Sequence, residues 1–261
     1  MKTTLCLDIG ATKIAAALID EKAKIRNFIV IPTPAKKNNK IILNNIFSVI
    51  DKLMAVGNAY TRSLRSINCG IAGQIDYKKG VIMQSPNFQK NFKNIEIKKI
   101  LEKKYKIPVF IDNDANCFAL GEAVFGLGKK YNSVVGITLG SGVGGGIVIN
   151  KKIYHGKNNL AGEFGQLFIK NEIWEKQKGN IKKADYLVLA LYDILHILDP
   201  EIIIIGGGIS NVPYLLKKAG QKTNKILYYQ AFKKTKIAKS KLQTKANLLG
   251  AYLLNKQHAT T

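Results

Sequence analysis

The sequence predicts an α/β protein built from two related halves. Three observations carry this expectation. A strand–turn–strand hairpin with glycine at its tip occurs twice, at Asp8-Ile9-Gly10-Ala11-Thr12-Lys13 and at Gly140-Ser141-Gly142-Val143-Gly144-Gly145-Gly146. Short apolar runs alternate with helical stripes along most of the chain. Ile202-Ile203-Ile204-Ile205 is apolar at every position, as a parallel strand buried on both faces reads, and it runs into Gly206-Gly207-Gly208. Beyond the two hairpins no internal repeat is evident.

The chain has 261 residues, enough for one large or two small domains. The predicted division is an N-terminal α/β domain over 1–111, onto which a C-terminal helix at 244–256 packs back, and a second α/β domain over 112–243. No signal peptide fits the start, and the longest apolar run, Tyr186 to Leu198, holds Asp193 and His196 and is too short to cross a bilayer. Cys6, Cys69 and Cys117 lie far apart inside apolar segments. They are expected to be reduced, buried thiols, which points to a cytoplasmic protein with no membrane partner. The net charge is +24, and such a surface attracts polyanions. The lysines are spread over almost the whole chain, Arg is nearly absent, and Ile and Asn are abundant. This pattern suggests codon bias and a solvated surface rather than a nucleic-acid partner. The alternative contact for RNA or polyphosphate is Lys225 to Lys241, where Tyr228, Tyr229 and Phe232 interleave with six lysines.

Lys2 to Leu7, Ile14 to Asp20 and Ile25 to Ile31 read as three strands. The turn between the first two is no Walker loop, which needs G-x-x-x-x-G-K-[ST] and a following helix. It still offers what a phosphate needs. Gly10 admits close approach, backbone N–H groups are exposed, and Thr12 and Lys13 add a hydroxyl and a cation. Asp8 can hold Mg²⁺, through water, because that ion keeps much of its hydration shell. An ordinary hairpin turn is the competing reading. Ile41 to Val56 carries a helical stripe at Ile42, Ile46, Val49, Ile50, Leu53 and Met54. Ile67 to Ala72 is a strand ending in Gly73-Gln74-Ile75-Asp76. Lys78-Lys79-Gly80 turns into the strand Val81-Ile82-Met83. Ser85 to Phe88 is a loop with Asn87 as its polar point. A short basic helix covers Ile95 to Tyr105.

Ile107 to Phe110 is a buried strand, Cys117 to Phe125 a helix, and Ile111-Asp112-Asn113-Asp114-Ala115-Asn116 lies between them. Acidic side chains at the carboxyl end of a strand project toward whatever lies above the sheet. Three readings compete. One is a helix N-cap. One is a calcium loop, which fails because Cys117 stands at the glycine position and Ala123 at the bidentate glutamate position. The third is a general base with a substrate-orienting amide beside it.

Ser133 to Leu139 is a strand. The glycines after it make a formal G-x-G-x-x-G, but the strand-like Ile147-Val148-Ile149 follows where a dinucleotide site needs a helix. Glu163 and Gln166 stand three apart between glycines, as a loop pair or as two polar groups facing one site. Asn171 to Lys183, with Trp174, reads as a surface connection. Ala184 to Leu198 is apolar nearly all round, hence a buried helix. A helix from Val212 to Ala219, capped by Ser210 or Asn211, follows the 206–208 glycines, where a nucleoside can lie on bare backbone. Thr244 to Leu254 is the last helix.

In this order the motifs resemble those of the ROK family of sugar kinases and sugar-responsive repressors. Asp8 to Lys13 looks like its first phosphate motif. Gly70-Ile71-Ala72-Gly73-Gln74-Ile75-Asp76 resembles its G-x-P-G-x-V-D, with Ala72 in place of Pro. Pro86-Asn87-Phe88 resembles P-N-L, and Asn113-Asp114-Ala115-Asn116 with Leu120-Gly121-Glu122 resembles N-D-A-N…L-G-E. Thr138 to Gly146 is similar to the second phosphate motif, and Gly162-Glu163-Phe164-Gly165-Gln166 to G-E-I-G-H. Asp199-Pro200-Glu201, Gly206-Gly207-Gly208 and Leu249-Gly250-Ala251 follow the C-terminal pattern.

The resemblance implies the actin/hexokinase-like ATPase fold, which is ribonuclease H-like, with two related α/β domains around a cleft. It implies ATP-dependent phosphorylation of a hexose hydroxyl, glucokinase-like, with Asp114 as general base and a small sugar as substrate. Gly73, Asn87, Asn113, Glu163 and Gln166 would orient the sugar. Asp8, Gly10, Thr12, Lys13, Thr138, Gly140, Ser141 and Gly142 would hold the phosphates and Mg²⁺, and Gly206, Gly207 and Gly208 the adenosine. The family commonly has a zinc-binding His where Gln166 stands, and its cysteine-rich zinc motif is missing, so no zinc site is expected. A second sugar-contacting Glu has only Glu172 and Glu175 as candidates. The start of the chain, a few residues before Asp8, implies no repressor-type helix-turn-helix. A homodimer is an assembly the family often forms. A non-catalytic sugar sensor and a kinase using polyphosphate as donor are the alternatives.

Overall fold

Apolar alternation from Thr3 onward is expressed as an antiparallel meander, β1 (Thr3–Ile9), β2 (Lys13–Asp20) and β3 (Ile25–Pro32). The computed structural model describes residues 2–56, 63–176, 180–212 and 214–258, with backbone only over 180–185. These divide into two compact units, Met1–Gly121 with Thr244–Thr261, and Glu122–Gln243.

In the first unit β4 (Leu64–Ile71) and β8 (Val109–Asn113) continue the sheet on the β1 side, giving the order β3-β2-β1-β4-β8. The β1–β4 and β4–β8 pairings are parallel. Leu5, Leu7 and Ile9 of β1 join Ile42, Ile46, Val49, Ile50 and Leu53 of α1 (Asn39–Met54) in one core. The Asn38 side chain accepts from Ile41 N at 3.0 Å and starts that helix. A small sheet of β5 (Gln74–Asp76), β6 (Val81–Gln84) and β7 (Lys93–Ile95) leads into α2 (Ile97–Tyr105).

After β8 comes α3 (Asp114–Phe125), and the unit is completed by α6 (Thr244–Tyr252) and α7 (Leu254–His258). The helix α6 packs on β1, β2 and β4. It crosses α3 at backbone contact. A Cβ on Gly121 would sit 2.0 Å from Ala246 O, and one on Gly250 would sit 1.8 Å from Cys117 O. This crossing binds the first two turns of α3 to the first unit. The division of the chain therefore falls inside α3, where the sequence put it before the helix.

The second unit repeats the plan. Strands β9 (Ser133–Leu139), β10 (Val143–Ile149), β11 (Lys152–Ile153), β14 (Ile202–Gly206) and β15 (Lys236–Lys239) pair in the order β11-β10-β9-β14-β15. The meander is again antiparallel and the two added strands again parallel. The two sheets thus share order and sense, although their sequences share little beyond the glycine hairpin. Helices α4 (Asn180–Leu198) and α5 (Leu215–Ile226) pack on each other.

Several elements differ from the sequence expectation. The expected surface connection at 171–183 is in part structured, and its residues 177–179 lie outside the described residues. Phe168–Ile169 and Glu172–Ile173 form a hairpin, β12 and β13, whose turn residues Lys170 and Asn171 both have positive φ. Trp174 is fully buried, with its N–H bonded to Leu167 O at 2.9 Å. The lone Trp therefore anchors the segment; its polar neighbours in sequence hid that role. The helix α4 begins at Asn180, and its last turn exposes Ile197 at 74%. Apolar content there overstates burial. Gly208–Asn211 is a 3₁₀ turn, Ser210 Oγ donates to Gly207 O at 2.6 Å, and α5 starts at Leu215 without a side-chain cap. Ser210 is spent on its own turn, so it does not cap; position 213 of the expected helix lies outside the described residues. All three cysteines are buried free thiols, and burial pushes each of them up.

Candidate active site

The carboxyl edge of the first sheet collects the acidic residues singled out in the sequence. The β1–β2 turn is closed by Gly10 N–H on Lys13 O at 3.1 Å, and the Thr33 hydroxyl donates to Gly10 O at 2.7 Å. Thr12 and Lys13 are exposed at its tip and Asp8 is half-buried at its base. The Asp8 carboxyl is pushed up to about 7, first by burial and then by the neighbouring Asp114 carboxylate. Lys13 and a hydrogen bond from Asn247 pull it the other way.

Asp114 opens α3 directly from β8, so the strand runs further and the helix starts earlier than the sequence suggested. The reason is Asn113. Its Oδ1 accepts from Ala115 N at 2.8 Å and Asn116 N at 3.1 Å, which satisfies the first helical N–H groups. Its Nδ2 donates to Gly73 O at 2.9 Å. The cap is therefore Asn113, and Asp114 is the first helical residue, with Oδ1 3.0 Å from Ala115 N.

Gly73 is held in place as well. It has φ +124°, and a Cβ there would lie 2.3 Å from Gln84 O. No other residue fits that turn. The Ser85 hydroxyl donates to Ala72 O at 2.5 Å, which ties the loop carrying Asn87 to the same strand end. Asn87 itself is exposed, and its carbonyl accepts from Lys36 Nζ at 3.2 Å.

Within the second unit, register brings the other two expected motifs together. Thr138 on β9 pairs with Gly206 on β14, so the Gly140–Gly142 tip and the Gly206–Gly208 turn leave adjacent parallel strands at the same end. Gly140 N–H donates to Gly142 O at 2.9 Å. Nothing lies within 4 Å of a Cβ built on Gly140 or on Gly208, so both offer bare backbone beside Ser141, which is exposed. Gly207 has φ +84°, and a Cβ there would meet Leu139 O at 2.3 Å.

Glu163 and Gln166 flank a 3₁₀ turn, Phe164–Gln166. The glycines around them serve backbone packing. A Cβ on Gly145 would strike the Phe164 ring, and one on Gly165 would lie 2.3 Å from Val143 O. Gln166 Nε2 donates to Glu175 Oε2 at 3.0 Å. Of the two glutamates considered after Gln166, Glu175 is the one beside it.

Sequence reasoning missed Asn247. From α6 its amide nitrogen lies 3.3 Å from both Asp8 Oδ1 and the Asp114 carbonyl oxygen, joining the hairpin to the start of α3. The available signal was a polar residue inside the apolar run Ala246-Asn247-Leu248-Leu249-Gly250-Ala251. Among the described residues, no helix is long and apolar enough to cross a membrane.

Comparison with known proteins agrees with this arrangement. The ROK family model matches residues 4–181 and 180–258. The glucokinase of Thermotoga maritima is 26% identical, covering 96% of each chain. The glucokinase of Streptomyces coelicolor is 34% identical over 64% of this chain and 50% of its own length. The xylose repressor of Caldicellulosiruptor bescii is 32% identical over 49% of this chain and 32% of its own. Among solved structures, a ROK family glucokinase from Streptomyces griseus in complex with glucose and AMPPNP superposes with a TM-score of 0.85 at 24% identity, covering 97% of this chain and 99% of that one. The ROK hexokinase from Thermus thermophilus gives 0.79 at 23%, covering 99% of each. The fold is that of the actin/hexokinase-like ATPases, and with its sequence matched almost from end to end, this chain belongs to the ROK family.

Proposed function

We propose that this protein is an ATP-dependent sugar kinase in which Asp114 is the general base. Asp114 would accept the proton of a hexose hydroxyl as that oxygen attacks the γ-phosphate. The observation that carries this reading is the division of labour at the start of α3. Asn113 accepts from both Ala115 N and Asn116 N, so the start of the helix does not depend on the Asp114 carboxylate for its cap. Asn113 keeps one amide hydrogen beyond its bond to Gly73 O, suited to a second sugar hydroxyl. Gly73, Asn87, Glu163 and Gln166 are proposed as further sugar contacts.

Phosphoryl transfer asks for positioning and for charge stabilisation. Thr12, Lys13 and the backbone N–H groups of the β1–β2 turn would serve the phosphates in the first unit. Thr138, Gly140, Ser141 and Gly142 would serve them in the second, with Gly206 to Gly208 taking the nucleoside. The donor set around Asp8 fits a hydrated magnesium ion. A carboxyl pushed up to about 7 by burial and then by its acidic neighbour gains from a nearby dication. Such an ion, held by Asp8 through water, would neutralise phosphate charge.

The test is sugar-dependent ADP release over a panel of hexoses and N-acetylated hexosamines, with ATP and polyphosphate as alternative donors. A kinase shows sugar-dependent turnover that falls by about 10²–10⁴-fold in Asp114→Asn, with sugar binding retained. Binding without turnover in the unaltered protein would establish a sensor instead, a reading favoured by the repressors among its relatives.

A further inference from the structure

The first turn of α6 meets both charged residues of the β1–β2 turn. Thr244 and Asn247 stand three apart at the start of α6 and so share one face. Lys13 Nζ donates to Thr244 Oγ1 at 3.3 Å, and Asn247 Nδ2 donates to Asp8 Oδ1 at 3.3 Å. The same amide nitrogen donates to the Asp114 carbonyl oxygen, also at 3.3 Å. A primary amide carries two hydrogens, one for each of these acceptors. The half-buried carboxamide thereby sets the spacing between the Asp8 carboxylate and the first residue of α3. Its own place is rigid. Ala246 beside it and Gly250 one turn on meet the α3 backbone at Gly121 and Cys117. A site braced by packed helices keeps tighter geometry than one braced by a loop.

We propose that Asn247 is a positioning residue, which orients the Asp8 carboxylate for a hydrated divalent cation and fixes it relative to Asp114. This rests on the kinase reading of Asp114 and on Asp8 as the residue that holds the cation. Two neighbouring carboxylates repel, and a carboxylate without a partner turns about its Cβ–Cγ bond. A bond to Oδ1 stops that rotation. An amide suits the task because it is neutral. A lysine or arginine there would orient Asp8 but cancel the charge that draws a cation. At Asp114 the bond is to the main-chain oxygen, so Asn247 ties the residue down without engaging the carboxylate proposed to take the proton. One side chain thus spans the cation side and the base side of the first unit, and small misplacements between reacting groups are expensive.

Two readouts on the full-length protein test this. The first needs no turnover. Mn²⁺, standing in for Mg²⁺, is titrated onto the protein at saturating ADP and followed by electron paramagnetic resonance. Asn247→Ala should weaken Mn²⁺ binding about tenfold, with sugar affinity by calorimetry little changed. Equal Mn²⁺ affinity in the unaltered chain and in Asn247→Ala would overturn the proposal even in an active kinase. So would an unaltered chain that takes up no Mn²⁺ with ADP. The second readout is kcat and KM for the sugar. Asn247→Ala should lose about tenfold in kcat with KM little changed. Asn247→Asp keeps the size and shape of the side chain but turns an oxygen toward two acceptors. It should lose at least as much kcat as Asn247→Ala. A role in packing alone predicts the opposite order, with Asn247→Asp the milder change, and that order would refute positioning. Weakened Mn²⁺ binding in Asn247→Ala of a protein without sugar-dependent ADP release would uphold the hold on Asp8 while refuting the kinase reading.

Discussion

Asn247 shows how one amide can govern a carboxylate pair. Asp8 is driven toward its neutral form by burial and by Asp114, and Asn247 and Lys13 are what hold it back. The direction of the linkage is fixed. The folded Asp8 takes up its proton more readily than the unfolded chain does, whose value is near 3.8. Stability is full below that point and drains away as pH climbs toward 7. In the metal-free protein, Asp8→Asn should therefore gain on the unaltered chain between pH 4 and 7 and hold a constant lead above. That lead should be about 3 kcal/mol, after discounting one-third or so for solvent screening. Urea midpoints measured across that range give the answer; a lead that is the same at every pH would show that Asp8 is not perturbed. Asn247→Leu should steepen the loss.

Asp114 was legible because its neighbours in sequence are its neighbours in space: strand, cap and helix are consecutive. Asn247 was not, because its partners Asp8 and Asp114 lie far from it in sequence, and no local pattern encodes such a pairing.

At the level of elements, the crossing of α3 and α6 is set by two glycines whose absent side chains let backbones touch. Gly250→Val would push a branched side chain into Cys117 O. The expected cost is about 3 kcal/mol or more, read as a lowered urea midpoint, with Asn247 displaced along with the helix. Trp174→Ala tests the second unit alone. It empties a fully buried site lined by that unit's core and should cost about 3–5 kcal/mol. A near-neutral Trp174→Ala would mean that the hairpin before α4 is not anchored as described. The strands and the stripe of α1 could be read from periodicity, and the observed buried set Ile42, Ile46, Val49, Ile50 and Leu53 follows it. The start of α5 could not, since Ser210 has a choice between capping a helix and closing its own turn, and only tertiary geometry decides.

On the scale of the molecule, two sheets with the same strand order and sense arise from sequences that share little more than a glycine hairpin. The doubled hairpin was enough to suggest the duplication, because a glycine-bearing tip between two apolar runs stays recognisable where the apolar side chains themselves have drifted. The surface charge is a weaker guide. No acidic residue follows Glu201, and the lysines of α5 are exposed. A polyanion held there should dissociate steeply with salt and be indifferent to Asp114→Asn.

The first unit is written in two pieces, with the whole second unit between them. A ribosome therefore finishes Glu122–Gln243 before it has released the α6 segment that seals the opening sheet. The inner unit can mature during synthesis, whereas the outer one waits for the last stretch of polypeptide to arrive. Stalled nascent chains ending at Gln243 should resist protease across 122–243 and be cut within 1–121, and release of the α6–α7 segment should protect both.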